Sequence, residues 1–167
     1  MIESILYIFF IVLADILAAK WIIPLPFGLA VPAGVFAIAP IFTLRDAIHR
    51  KYGFKRVTVL IFVASAIAYT FSILLGNELL GRVTIASVVA FLISENVDTF
   101  VYHVFRKDTW LSRVMKSNLV STFLDSVIFI GLAFGIVWSL VIGQYLVKML
   151  IAGLTGLFLN WKYSKDA

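Results

Sequence analysis

Acidic side chains stand inside stretches of this sequence that are otherwise apolar enough to cross a membrane. They are Asp15, Glu95, Asp98 and Asp125, and one further stretch contains Lys148. A charged side chain at the centre of a bilayer costs about 2.5–3.5 kcal/mol on insertion scales, so each of these residues is a candidate for function. Carboxylates at this depth can accept N–H groups of a ligand, bind a cation or relay protons.

The acids and their polar neighbours follow helical spacing. Glu95, Asp98 and Tyr102 are spaced i, i+3, i+7, which is one side of a helix. A second stripe has the spacing i, i+3, i+4, i+7 and consists of Asn118, Ser121, Thr122 and Asp125. A weaker third stripe consists of Gln144, Lys148 and Thr155. Lipid cannot satisfy such stripes, so we expect them to face the interior of a helix bundle or a wet cavity.

A structural role for these groups is the competing interpretation. A single Ser or Thr in a membrane helix is usually a hydrogen-bonded contact between helices, and a buried acid paired with Lys148 could serve packing alone. A rise of about 1.5 Å per residue puts Asp98, Glu95 and Asp125 roughly 10–15 Å from one membrane face, with Asp15 near mid-membrane. Three acids and Asn118 at similar depth favour a polar binding site.

The composition agrees with a membrane protein and excludes several other classes. Apolar and aromatic residues make up 62% of the 167 residues, charged residues 14%, and the mean hydropathy is +1.05. Cysteine is absent, which excludes disulfides and thiolate metal sites. No P-loop, HExxH or GxSxG motif is present, so we expect no enzyme activity, cofactor or metal site. The basic residues lie between apolar runs, which points to a lipid bilayer rather than nucleic acid as the partner.

Six transmembrane helices are predicted in a single integral membrane domain covering 1–167. Their approximate bounds are 5–23, 28–44, 57–75, 83–105, 119–137 and 140–160, with an interior break near Trp138-Ser139 or Gly143-Gln144 dividing the last two. The third predicted helix carries few polar residues and is interpreted as scaffold. Most Lys and Arg residues fall in the loops after the second and fourth helices and in the C-terminal tail. Basic loops stay cytoplasmic, so both termini are predicted inside.

Three segments resemble the vitamin uptake transporter family, also called queuosine precursor transporters. The first is Ala14-Asp15-Ile16-Leu17-Ala18-Ala19-Lys20, similar to A-N-x-x-A-x-K. The second runs from Phe42-Thr43-Leu44-Arg45-Asp46 to Tyr52-Gly53, and the third combines residues 86–98 with residues 117–129, the latter similar to N-x-x-S-T-x-x-x-D-x-x-x-F. The sequence departs from the family at Asp15, where an Asn is usual, and at His49 and Arg50, where Asn and Glu are usual.

The resemblance implies a six-helix importer in the cytoplasmic membrane, similar in fold to the substrate-binding subunits of energy-coupling-factor transporters. It also implies a ligand of the 7-deazaguanine type, such as the queuosine precursors preQ0 or preQ1. A substrate-capture or structural subunit of a larger complex, and less readily a membrane-embedded enzyme, stay open as alternatives. Energy coupling stays open as well, through protons, facilitated diffusion or an ATPase module, as do a homo-oligomer and an energising partner.

The chemistry of such a ligand suits the residues of the two stripes. A guanine-like ring presents adjacent N–H donors that Glu95, Asp98 or Asp125 could accept in a bidentate manner, and Asn118 offers a donor and an acceptor. Aromatic side chains could stack on the ring; the candidates are Phe91, Tyr102 and Phe129. If the ligand carries an aminomethyl cation, a second carboxylate would offset its charge. The predicted substrate-binding residues are Asp15, Phe91, Glu95, Asp98, Tyr102, Asn118, Thr122 and Asp125. Arg45, Asp46 and Lys148 are predicted to form gating or ion-pair contacts.

Overall fold

The computed structural model of the chain is a bundle of helices with one short β-hairpin. It describes the backbone of residues 2–165, and the side chains of residues 2–38, 40–41, 44–45, 48, 51–53, 55–109, 112 and 115–154. The α-helices are α1 (Ile2–Lys20), α2 (Ile38–Tyr52), α3 (Phe54–Leu74), α4 (Glu78–Val104), α5 (Trp110–Phe134) and α6 (Trp138–Lys165). Two strands, β1 (Ile22–Pro24) and β2 (Ala30–Pro32), and the 3-10 helix Ala33–Ala37 connect α1 to α2.

Four helical segments among the described residues are long and apolar enough to cross a membrane. They are Ile2–Lys20, Lys55–Leu74, Glu78–Val104 and Met115–Phe134, and Trp138–Leu154 is a shorter apolar helix. The chain is therefore an all-α membrane protein that crosses the bilayer several times. The count of six crossings and the cytoplasmic position of both termini stay predictions.

The prediction of the second helix, over residues 28–44, is wrong for its first half. Residues 30–32 form a strand that pairs antiparallel with β1, with Ile22 opposite Pro32 and Pro24 opposite Ala30, and α2 begins only at Ile38. The turn of this hairpin contains Phe27 and Gly28, both at positive φ. The prolines in this stretch lack the N–H that a continuous helix needs. Hydropathy alone did not register this interruption, because the residues are as apolar as a helix would require.

The boundary between α5 and α6 lies at residues 135–137, just before the first of the two predicted break points. Gly135 ends α5 with a φ of 80°, a conformation that residues with a side chain rarely adopt. The alternative break at Gly143-Gln144 is inside α6.

The packed interior consists of two apolar clusters. One joins α1 with α4, α5 and α6, and its buried members are Ala18, Val83, Ala86, Ala90, Phe129, Ile130, Ala133, Leu140 and Val141. The other joins α1, α2 and α3, and its buried members are Tyr7, Ile11, Ile48, Val57, Leu60, Ile61 and Ala64. Since members of both clusters line the same cavity, the cavity lies between them.

Strand β2 and the 3-10 helix that follows it pack between α1 and α6. A Cβ atom on Gly34 would lie 2.2 Å from the carbonyl oxygen of Ala14 in α1, and one on Gly143 of α6 would lie 2.1 Å from the carbonyl oxygen of Ala30. Backbone meets backbone at both points, so only glycine fits. These contacts set where α1 and α6 stand relative to the hairpin.

Candidate functional site

A cavity of about 630 Å³ lies among the helices, and residues of all six helices line it. The eight residues that the sequence predicts as ligand contacts are all on its wall: Asp15, Phe91, Glu95, Asp98, Tyr102, Asn118, Thr122 and Asp125. Arg45 and Lys148 line it as well. The side chains of Asp46 and Thr155 lie outside the described residues. The structure thus brings the predicted set together, while the role of each residue toward a ligand stays a prediction.

Helix α4 provides the axis along which the polar groups of the cavity are arranged. Its cavity-facing residues run from Ser87 through Phe91, Ser94 and Glu95 to Asp98. At about 1.5 Å per residue, Ser94 lies roughly 10 Å and Asp98 roughly 16 Å along the helix from Ser87. The cavity therefore has a hairpin end at Ser87, a middle level at Ser94 and Glu95, and an Asp98 end.

Two ion pairs occupy the middle level. Arg45 of α2 pairs with Glu95 of α4, and Lys148 of α6 pairs with Asp125 of α5. Ser94 Oγ also lies 3.5 Å from Asp125 Oδ1, so this carboxylate connects α4, α5 and α6. The side chains of Lys148 and Asp125 are 12% and 19% exposed and those of Arg45 and Glu95 are 25% and 19% exposed, so neither pair is fully buried. Both cations of the described wall are thereby engaged at one level.

The hairpin end is built around Asp15 of α1. Its Oδ1 accepts a hydrogen bond from Ser87 Oγ of α4 at 2.7 Å, and the residue is buried. Gln144 of α6 is buried on the same wall. Pro32 and Gly34 close this end, because the 3-10 helix and β2 pack between α1 and α6.

The Asp98 end carries hydrogen-bonding groups from α4 and α5. Ser121 Oγ donates to Asp98 Oδ1 at 3.0 Å, joining the two predicted polar stripes directly. Asn118 lies one turn before Ser121 on α5, and Tyr102 lies one turn beyond Asp98 on α4; both line the cavity. This end therefore offers a carboxylate, an amide and a phenol on adjoining faces.

Several residues of the wall were not singled out from the sequence. Ser94 precedes Asp98 by four residues and Ser87 precedes it by eleven, so extending the α4 stripe backwards by one turn and by three turns would have identified them. Ser65 of α3 also lines the cavity, although the sequence suggested a scaffold role for that helix. Ser65 shares the spacing i, i+4, i+7 with Tyr69 and Ser72, but this stripe contains no charged residue, and its place on the wall depends on the packing of α3 against α1. Among the described residues, no group of three or more His, Cys, Asp or Glu could hold a metal ion.

Apolar helices that enclose polar and charged side chains are typical of membrane proteins with an internal binding site or pathway for a polar molecule. Residues 32–161 match the family model "Putative vitamin uptake transporter". Because the match covers most of the chain, the protein belongs to this family, as the resemblance of its motifs predicted. No curated protein and no solved structure matches the chain. Membership in a transporter family fits the prediction that the chain is not an enzyme.

Proposed function

We propose that this protein imports a small polar heterocycle of the 7-deazaguanine type, such as preQ0 or preQ1, across the cytoplasmic membrane. The observation that carries the proposal is the cavity, in which carboxylates and an amide from three helices converge on one space. Family membership supports the transport of a vitamin-like molecule, and the choice of ring rests on the motifs in α1, α4 and α5.

The size and the lining of the cavity suit such a ligand. A volume of about 630 Å³ lies within the range of small-molecule sites. Phe91 and Phe129 offer aromatic surface within the cavity, and Ile11 and Ile61 add aliphatic surface. Planar ligands are usually held by aromatic contacts with a few polar groups that fix their orientation.

Asp98 is the carboxylate best placed to receive the N–H edge of the ring. Glu95 and Asp125 are already paired with cations, whereas the hydrogen bond to Asp98 comes from a neutral hydroxyl, Ser121. The carboxylate therefore keeps acceptor capacity for two parallel N–H bonds. We expect Asn118, on the neighbouring face, to supply a donor for a ring carbonyl, and the ring of Tyr102, which also lines the cavity, to pack against the ligand.

Binding is tested with the purified full-length protein in detergent or nanodiscs. Thermal unfolding, followed by the fluorescence of its tryptophans, is measured with a panel of purines and 7-deazapurines. A deazaguanine that raises the unfolding temperature in a saturable manner supports the proposal. Stabilisation by none of the panel would reject the proposed ligand class.

Transport is tested by uptake into cells and into proteoliposomes with Asp98→Asn and Asp125→Asn. Asp108→Asn is the matched control, since Asp108 pairs with Lys116 outside the cavity wall. Unchanged uptake in both cavity variants would refute the site. Saturable binding with uptake in cells but none in proteoliposomes would instead assign the chain to substrate capture for an energising partner.

A further inference from the structure

The hairpin end of the cavity has hydrogen-bond acceptors that lack donors. Asp15 is 3% exposed, and its Oδ2 has no hydrogen-bond partner among the described residues, although Oδ1 accepts from Ser87. Gln144 is 2% exposed, and its Oε1 likewise has no partner there. Buried acceptors without donors are unfavourable, most of all when they carry charge. A ligand that brings N–H donors and no acceptors would complete this end.

Two tight backbone contacts put Asp15 and Gln144 at the same end of the cavity. Ala14, the neighbour of Asp15, meets Gly34 in the 3-10 helix. Gly143, the neighbour of Gln144, meets Ala30 in β2. Ala30 and Gly34 are four residues apart in one continuous segment, so residues 14 and 143 both contact this segment, and Asp15 and Gln144 both line the cavity beside it.

The positive charges of the described wall lie elsewhere. Arg45 pairs with Glu95 and Lys148 pairs with Asp125, at a level roughly 10 Å along α4 from the hydroxyl that binds Asp15. The groups beside Asp15 are neutral hydroxyls, that of Ser87, which donates to it, and that of Thr84. Four carboxylates and two cations therefore line the described cavity, and the excess negative charge at the hairpin end belongs to Asp15.

We infer that the transported ligand carries an ammonium group and that Asp15, together with the amide oxygen of Gln144, binds it at the hairpin end. This inference rests on the proposed function and narrows its substrate class. An alkylammonium has three N–H donors and no acceptor, which matches the two unpartnered oxygens. With the cation at Asp15, the ligand extends along α4 past Phe91, so that the N–H edge of its ring is directed towards Asp98.

The inference concerns a residue that the family match does not cover, because the match begins at residue 32. The inference also predicts different affinities for two ligands that share one ring system. PreQ1 carries an aminomethyl group, which is protonated at neutral pH like the amine of lysine. PreQ0 carries a neutral nitrile at the same position. A site built around Asp15 should therefore distinguish them.

The experiment measures the Kd of preQ1 and of preQ0 for the full-length protein in nanodiscs at neutral pH. For the unsubstituted protein we expect preQ1 to bind at least about tenfold more tightly, which is typical of a hydrogen bond to a charged group in a partly desolvated site. For Asp15→Asn we expect most of this preference to disappear, with preQ0 affinity changed by less than about threefold. Asp98→Asn is the internal control, since it should weaken both compounds by a similar factor and keep their ratio.

The outcomes distinguish failure of the ammonium site from failure of the proposed function. Equal binding of the two compounds by the unsubstituted protein would overturn the ammonium site while leaving the proposed function intact. A preference for preQ1 that survives Asp15→Asn would also overturn it. Binding of neither compound would overturn the proposed function and this inference with it. Because the first comparison needs no variant, the inference stays testable even if Asp15→Asn does not fold.

Discussion

Lys148 of α6 and Asp125 of α5 form an ion pair on the wall of the cavity, and the same carboxylate lies within hydrogen-bonding distance of Ser94 on α4. Three helices thus meet at one carboxylate, at the level where Arg45 also pairs with Glu95. The sequence predicted an ion-pair contact for Lys148, and the structure identifies Asp125 as its partner. Each member of the pair offsets the charge of the other at this level of the cavity.

Breaking this pair should destabilise the protein more than removing it altogether. Lys148→Met leaves Asp125 without its cation, and we expect the free energy of unfolding to fall by about 3 kcal/mol. This is the lower end of the range for removing one partner of a buried ion pair, because both side chains are partly exposed. The double variant Lys148→Met with Asp125→Asn should recover much of that loss. Chemical unfolding followed by tryptophan fluorescence measures both. Equal stability of the single and double variants would contradict this coupling.

The contact between Gly34 and Ala14 should be intolerant of any side chain. In Gly34→Ala the new Cβ would lie 2.2 Å from the backbone oxygen of Ala14, so the 3-10 helix or α1 must shift. We expect a loss of about 2 kcal/mol of stability, as for other overpacked positions, and weaker ligand binding because Asp15 is the next residue. Thermal unfolding and the Kd of preQ1 report the two effects.

Gly153→Ala is the matched control for that experiment. Gly153 lies within α6, and no atom of the described residues comes within 4 Å of the position of its Cβ. Alanine is the better helix former, so stability should be unchanged or slightly higher. Equal losses in the two variants would show that steric contact with α1 is not the reason for glycine at position 34.

The predicted topology can be checked by labelling, because the chain contains no cysteine. Phe27→Cys, at the 99% exposed tip of the hairpin, and Asn77→Cys, between α3 and α4, should react with a membrane-impermeant maleimide in intact cells. Lys55→Cys and Lys107→Cys should react only after permeabilisation, since basic loops stay cytoplasmic. Labelling of all four positions from one side would refute the six-crossing topology.

Removing Ser121 should affect Asp98 without removing its charge. Ser121→Ala deletes the 3.0 Å hydrogen bond to Asp98, which is worth about 1 kcal/mol or more for a charged acceptor. If this bond orients the carboxylate for a ligand, the affinity for a deazaguanine should fall by about three- to tenfold. Ser112→Ala is the control, since Ser112 bonds to Asp108 outside the cavity. Equal affinity in Ser121→Ala and the unsubstituted protein would show that Asp98 needs no such support.

Local patterns in the sequence were sufficient for the membrane class and for much of the cavity wall. Hydropathy predicted the apolar helices, and the positions of Glu95, Asp98, Ser121 and Asp125 on shared faces followed from the 3.6-residue period of a helix. This works because membership of one face depends only on spacing within one helix. The same reasoning, carried towards the start of α4 by one turn and by three turns from Asp98, would have included Ser94 and Ser87.

The relationships between helices were decided by the tertiary structure alone. Nothing within α1 indicates that Asp15 accepts from Ser87, and nothing within α2 indicates that Arg45 pairs with Glu95. Such partners depend on how far one helix slides and rotates against the next, which side-chain packing and contacts such as Gly34 on Ala14 determine. Hydropathy also could not predict the hairpin, because its residues are as apolar as those of a membrane helix. The sequence by itself therefore specified which groups enter the membrane, and the packing of the helices decided which of the acids pair with Arg45 and Lys148.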